Sequence, residues 1–291
     1  MGRLVVIGTS ADSTMAHFIS FLRHSKLDYE FIPLEQVIFH GTLSAAENVL
    51  TIELPDSRFT LNTVDLRAYC RLQLPNLPSR EHLARWKILR AFFQQSRGVV
   101  VNRPQSGSSN HSKIVQLAMF QRMGILFPDA IYTSEEETLR AWAKNKHEIV
   151  FKSGSSIRSI VAKVDDKAML RIGLLSKCPV LFQQHIAGSD VRVHVVGDEC
   201  HAEQIWCNSV DYRYANREDR RFHALDLPSQ VKKDCLRVTA ATGNLFSGID
   251  FKVDEQGNYW MLEVNPMPGY DGYDRRLGGT ISRSLVHLLT Q

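Results

Sequence analysis

Gly248-Ile249-Asp250-Phe251 and, after a short turn, Tyr259-Trp260-Met261-Leu262-Glu263-Val264-Asn265-Pro266 decide how this chain is read. Residues 249–253 and 259–264 form two apolar-rich runs around Asp254-Glu255-Gln256-Gly257-Asn258, the pattern of a hairpin of adjacent strands. Side chains two apart on a strand share a face, so Glu263 and Asn265 point together at Asp250. Two carboxylates and an amide oxygen make a hard oxygen site suited to Mg2+ carrying phosphates. The alternative is a surface hairpin with solvated acids. The apolar neighbours argue for buried strands, where such carboxylates are costly without a cation.

At 291 residues the chain can hold two or three small domains or one elaborated one. A hydrophobic content of 44% and a charged content of 23% suit a soluble globular protein. A net charge of +4 falls far short of a dedicated nucleic-acid binder and fits a site for anionic phosphates. The five cysteines are odd in number and lack CxxC spacing, which argues against a disulfide framework or zinc knuckle and fits a reducing compartment. Leu4-Val5-Val6-Ile7-Gly8 starts as a strand with no signal-type apolar region, and no run approaches a membrane span. The expectation is a cytoplasmic protein with neither a nucleic-acid nor a membrane partner.

Residues 4–8, the loop Thr9-Ser10-Ala11-Asp12 and the periodic stretch 15–22 read as strand, loop and helix, with a second strand at 29–33. This is an open α/β unit extending to about residue 100, with a helix at 79–93 and a buried strand at 98–102. Residues 103–110, rich in Pro, Gly and Ser, are the best candidate linker. A helix over 112–123 and a strand over 127–132 come next. Thr133-Ser134-Glu135-Glu136-Glu137 reads as a helix start with a hydroxyl cap. Residues 148–152 and 159–164 read as paired strands, with further strands at 180–184 and 191–196. Residues 211–228 read as a charged loop over the site, followed by helices at 231–245 and 279–289.

Lys152 closes an apolar strand and opens Ser153-Gly154-Ser155-Ser156, where free N–H groups, hydroxyls and an ammonium form a cradle for phosphate oxygens. No GxxxxGK[ST] is present, so this is not a P-loop. A solvated hairpin tip is the competing reading, as an ordinary helix-start lysine is for Lys113. Gln183-Gln184-His185-Ile186 ends a strand whose backbone can meet an adenine edge. Asp190 can accept from ribose hydroxyls or can simply be a turn residue after Gly188-Ser189. Arg192 and Arg213 are candidate anion clamps, because the guanidinium fork matches carboxylate and phosphate. His194 and His201 lie in strand-like segments and read as structural.

Taken in this order, the elements resemble the ATP-grasp carboxylate–amine ligases, specifically the RimK-like branch, from about residue 99 onward. The most specific part is Leu262-Glu263-Val264-Asn265-Pro266-Met267-Pro268-Gly269-Tyr270-Asp271-Gly272-Tyr273. Val101-Asn102-Arg103-Pro104 with Asn110 and Lys113, and Asp211-Tyr212-Arg213, are also similar to the graspetide maturases, which crosslink ribosomal peptides. The loop after Lys152 has one glycine where the glutamate-ligase branch has several, and Arg213 lacks that branch's closely spaced Arg-x-Asn. The resemblance implies an α/β (α+β) ATP-grasp fold. Its parts would be an N-terminal open α/β domain (1–104), a central lid domain (105–180) and a C-terminal domain (181–291), the last two sandwiching ATP. It also implies ATP with Mg2+, two ions by the family's pattern, and Mn2+ as a substitute. Lys113, Lys152, Ser155, Ser156, Gln183, Gln184, Ile186 and Asp190 would contact the nucleotide. Asp250, Glu263 and Asn265 would hold the metal, and Arg213 and Arg192 would act on the acyl phosphate or substrate carboxylate.

The chemistry so implied is an ADP-forming ligase making an amide or ester through an acyl phosphate, with an amino acid or peptide substrate and a homo-oligomer compatible with the chain. A peptide-crosslinking maturase and a non-catalytic ATP-binding protein are the alternatives. Intact metal ligands speak against the last, and a basic or hydrophobic groove on the central domain would favour the maturase. Arg213, Arg217, Arg220, Arg221, Arg275 and Arg276, taken as near one site, suggest a substrate bearing several carboxylates.

Overall fold

The computed structural model describes residues 4–73, 77–107, 112–152, 161–165, 168–169, 171–207, 212 and 216–291. Ser155, Ser156 and Arg213 lie outside the described residues, as do Asn110 and the side chain of Arg217.

The N-terminal unit is built on four parallel strands in the order β2 (Tyr29–Pro33), β1 (Leu4–Gly8), β6 (Arg67–Cys70) and β7 (Val99–Val101). Every residue of β1 is buried because it has a neighbour on each side and helices across its faces. Helix α1 (Ser13–His24) starts where the Asp12 carboxylate accepts from the Thr14 and Met15 N–H groups. It buries Met15, Phe18, Ile19 and Leu22, the three-to-four spacing of one helical face. Helices α2 (Leu34–His40) and α3 (Arg80–Gln95) complete this layer. An antiparallel sheet of β3 (Thr42–Ala46), β4 (Val49–Leu54) and β5 (Ser57–Asn62) fills a stretch to which the sequence analysis assigned no element. Its alternation is plain in β4, where Leu50, Ile52 and Leu54 face the core.

The expected linker begins as an anchored segment. The Arg103 guanidinium donates to the carbonyls of Phe93, Gln94, Ser96 and Gly98, fastening the chain after β7 to the end of α3. Pro and Gly content identified irregular backbone there; a side chain with five donors removed the freedom that a linker requires.

Helix α4 (Lys113–Met123), capped by Ser112, packs Met119 and Phe120 into the core of the C-terminal sheet. The central unit is an antiparallel sheet in the order β10 (Val161–Lys163), β9 (Ile149–Lys152), β11 (Val180–Gln184) and β8 (Ala130–Thr133). The expected division at residue 180 falls within β11. Helix α5 (Glu136–Ala143) and a 3-10 turn over Ile172–Lys177 bury Leu139 and Leu175 against Phe182. The expected hydroxyl cap is corrected: Thr133 Oγ1 accepts from the Glu135 N–H before the helix, and Glu135 itself is the unbonded N-cap.

The C-terminal sheet runs β14 (Arg221–Leu225), β13 (Glu199–Trp206), β12 (Ser189–Val196), β15 (Phe246–Val253) and β16 (Tyr259–Asn265), all antiparallel. All eight residues of the central strand β12 are buried. Part of the stretch read as a loop, 211–228, is therefore strand, held by pairing with β13 rather than by any apolar alternation of its own. Helix α6 (Ser229–Ala241) covers the sheet, and α7 (Asp271–Arg276) and α8 (Thr280–Thr290) close the chain. Ile281, Leu285 and Leu289 of α8 share one core with Val6, Phe18, Tyr69, Phe246 and Tyr270, so the first and last units are packed together. Among the described residues no helix is long and apolar enough to cross a membrane.

Candidate functional site

The hairpin β15–β16 places Asp250 opposite Glu263 and Gly248 opposite Asn265, with a bulge between Asp250 and Phe251. The bulge re-aims the strand where the carboxylate projects. The Asn265 amide bridges the acids, its nitrogen 3.1 Å from Asp250 Oδ2 and 3.1 Å from Glu263 Oε1. The expected trio is therefore one cluster.

Two cations balance it. Arg192 of β12, paired in register with Asp250, donates from Nη1 to Asp250 Oδ2 at 2.7 Å. Lys113, at the start of α4 and 7% exposed, is hydrogen-bonded to Glu263 Oε2. Burial pushes the Glu263 carboxyl up; the Lys113 and Lys152 ammonium groups, with hydrogen bonds from Lys113 and Asn265, reverse this and hold it far below the carboxylate range. Among the described residues three cations thus face these two carboxylates, an excess of positive charge suited to a polyphosphate.

A cleft between the central and C-terminal sheets is lined by Lys152, Gln183, Gln184, Ile186, Asp190, Asp250 and Glu263, with Val150, Val161 and Leu262 as apolar walls. Seven of the expected site residues meet there. In the backbone edge expected from residues 183–186, the Gln184 and His185 N–H groups donate to Asp129 O and Glu148 O within the fold. Asp190 lies in strand β12, not in a turn, and receives a hydrogen bond at 2.9 Å from Lys252, its register partner in β15.

Several residues of the site were given no role by the sequence, although Tyr212 and Asn102 stand in stretches that resemble the family. Lys252 and Tyr212 line the cleft, and the Tyr212 hydroxyl is 2.8 Å from that of Tyr273. Gln116, one turn along α4 from Lys113, donates to Val264 O at 2.8 Å and accepts from Val264 N at 3.1 Å. Asn102 holds Leu245, Phe246 and Pro266. Asn102 lies in the family-like stretch Val101-Asn102-Arg103-Pro104, whereas Gln116 has no such signal, and polar residues at core positions are noticed only once burial is known.

Of the six arginines, Arg213 and the side chain of Arg217 lie outside the described residues, and Arg275 and Arg276 are engaged in ion pairs. Arg276 forms a two-pronged pair with Glu203, which is 2% exposed, and lies 3.8 Å from the Phe222 ring centroid. Arg275 pairs with Asp271 at 3.4 Å, and Arg221 is exposed on β14. The partner of Arg276 lies across the fold, where sequence proximity does not show it.

The donor set fits a hard divalent cation: two carboxylates and an amide group already converge, and their charge is met by side-chain cations. For a metal to bind, the Asn265 amide would present its oxygen, which swings its nitrogen away from the acids.

The model of the RimK-like ATP-grasp domain matches residues 111–289, well over half the chain, and the protein belongs to the ATP-grasp family. A structure of the ATP-grasp ligase PsnB, complexed with a phosphomimetic variant of a minimal precursor, Mg and ADP, superposes with a TM-score of 0.82 at 24% identity. It covers 99% of this chain and 98% of that one. The macrocyclase MdnC from Microcystis aeruginosa MRC, bound with precursor peptide MdnA, gives 0.80 at 18% identity, covering 99% of each. The alpha-aminoadipate–LysW ligase LysX of Sulfurisphaera tokodaii is 22% identical over 220 residues, spanning 72% of this chain and 77% of LysX.

Proposed function

We propose that this chain is an ADP-forming ligase that activates carboxylates of a peptide as acyl phosphates and joins them to amines or hydroxyls of the same peptide. The observation that carries the peptide reading is an apolar groove on the central unit. Leu139, Phe151, Ile172, Leu175 and Phe182 line it, with Leu174 56% exposed at its rim. An apolar pocket outside the nucleotide cleft, with a buried floor and an exposed rim at Leu174, suits an apolar side chain of a peptide better than a free amino acid. Full-length likeness to PsnB and MdnC, solved with precursor peptides, supports the same reading.

The nucleotide base would lie between Val150, Val161, Ile186 and Leu262, and Lys113 and Lys152 would bind its phosphates. Asp250, Glu263 and Asn265 would hold Mg2+, which neutralises phosphate charge and orients the transferred group. The terminal phosphoryl group passes to a substrate carboxylate oxygen and ADP leaves. The nucleophile then attacks the acyl carbon, the bond to phosphate breaks, and the nucleophile's proton goes to solvent. Arg213, by its resemblance to the family's arginine, and Arg192 would steady the charge on the acyl phosphate.

The test is incubation with ATP, Mg2+ and candidate precursor peptides, following nucleotide products and peptide mass. Loss of one water per bond with stoichiometric ADP is expected, and Leu174→Asp should raise the peptide KM at unchanged ATP KM. AMP as product would overturn the acyl-phosphate route, and turnover of free amino acids but no peptide would overturn the substrate assignment.

A further inference from the structure

The ligand-bearing strand β16 lies at an edge of its sheet, with β15 on one side only. An edge strand has one row of N–H and C=O groups without a strand partner; here Met261 N–H donates to Leu126 O at 2.9 Å, and the end that carries Glu263 and Asn265 lies beyond that bond. Two buried amide side chains brace it. Gln116, 1% exposed, makes both hydrogen bonds of a ladder neighbour to Val264, the residue between Glu263 and Asn265. Asn102, 8% exposed, spans both strands of the hairpin. Its oxygen accepts from the Leu245 and Phe246 N–H groups at 2.9 Å each, and its nitrogen donates to Phe246 O at 2.6 Å and to Pro266 O. Phe246 opens the strand that carries Asp250, and Pro266 follows Asn265 directly.

We propose that Asn102 and Gln116 are positioning residues for the metal site: their amides fix the ends of the hairpin and its outer edge at Val264 and thereby set the spacing of Asp250, Glu263 and Asn265. The inference rests on the metal site described under Proposed function and concerns how it is held. Both residues sit on elements outside the C-terminal sheet, Asn102 just after β7 and Gln116 on α4. The metal ligands are thus referenced to the N-terminal unit and to the helix that carries Lys113. Each amide is used as donor and acceptor at once, a pattern that a carboxylate of the same shape cannot supply.

The experiment uses the full chain and two near-isosteric variants, Asn102→Asp and Gln116→Glu. Each keeps the acceptor and loses the donor. Mn2+ binding in the presence of saturating ADP is followed by electron paramagnetic resonance, with metal-free ADP binding and thermal melting measured alongside. Supporting groups around metal ligands typically change metal affinity by 10–100-fold, so the Mn2+ half-saturation point should rise by about that factor in each variant. Metal-free ADP binding should stay at the wild-type value. Unchanged Mn2+ affinity in a folded variant, whatever its melting temperature, would overturn the proposal. If one variant does not fold, the other is read alone by the same criterion; if neither folds, the amides are structural only and the proposal falls. Wild-type protein that binds no Mn2+ with ADP would overturn the metal site itself, whereas normal wild-type binding with unchanged variants overturns only the bracing role.

Discussion

Replacing Glu263 by glutamine removes a charge from the point where the structure concentrates it. Glu263 and Lys113 are 17% and 7% exposed, and Lys152 adds a second buried cation beside the carboxylate. Removing one partner of a buried pair costs about 3–5 kcal/mol. Glutamine can still accept from Lys113 and the Glu263 side chain is 17% exposed, so the low end, about 3 kcal/mol, is expected for the metal-free protein. Urea denaturation of wild type, Glu263→Gln, Lys113→Met and the double variant gives the coupling energy as a cycle. The metal supplies a second, separable readout. A ligand at 100 times its Kd stabilises the native state by about 2.7 kcal/mol, and Mg2+ with ADP should do so for wild type but not for Glu263→Gln. The sign with pH also follows. The Glu263 pKa is depressed in the fold, so its contribution is present above the unfolded value of about 4.3 and is lost as pH falls below it. In Glu263→Gln that acid limb should flatten. Wild-type stability, no coupling with Lys113 and an undiminished metal increment would together refute the site as described.

Burial, and next the Arg192 charge, push His194 well below the usual histidine range, with His201 and Arg276 adding to the effect. The unfolded chain binds this proton below about pH 6.5, so stability should decline as pH falls through that value. His194→Phe should reduce the slope in melts at several pH values, and parallel curves would count against it. Lys152→Ala should weaken ATP binding, whereas Arg213→Ala should mainly lower kcat; kinetics with the opposite split would exchange the two roles. Arg276→Ala leaves Glu203 buried and unpaired, so a loss of about 3–5 kcal/mol is expected in urea denaturation, with peptide selectivity unchanged. A shift in selectivity at intact stability would instead make Arg276 a substrate clamp.

What the sequence determined by itself is local or periodic. The hairpin proposed to hold the metal is legible because Asp250, Glu263 and Asn265 lie within 16 residues and strand alternation aims them together. The same holds for β1 and α1, whose patterns need no distant partner, and for the apolar ends of β9 and β11. Pairings across the fold were decided only by tertiary structure. Asp190 meets Lys252 because β12 and β15 lie antiparallel in one particular register, and a slip of one residue would put the two side chains on opposite faces. Arg276 finds Glu203, Gln116 finds Val264, and Asn102 finds Pro266 across 73, 148 and 164 residues of chain. Strand β14 has too little alternation to announce itself and exists through its ladder with β13. A side chain's local pattern states which face it occupies, but what stands opposite depends on how the sheets and helices pack. A buried amide or ion pair is defined by that opposite partner.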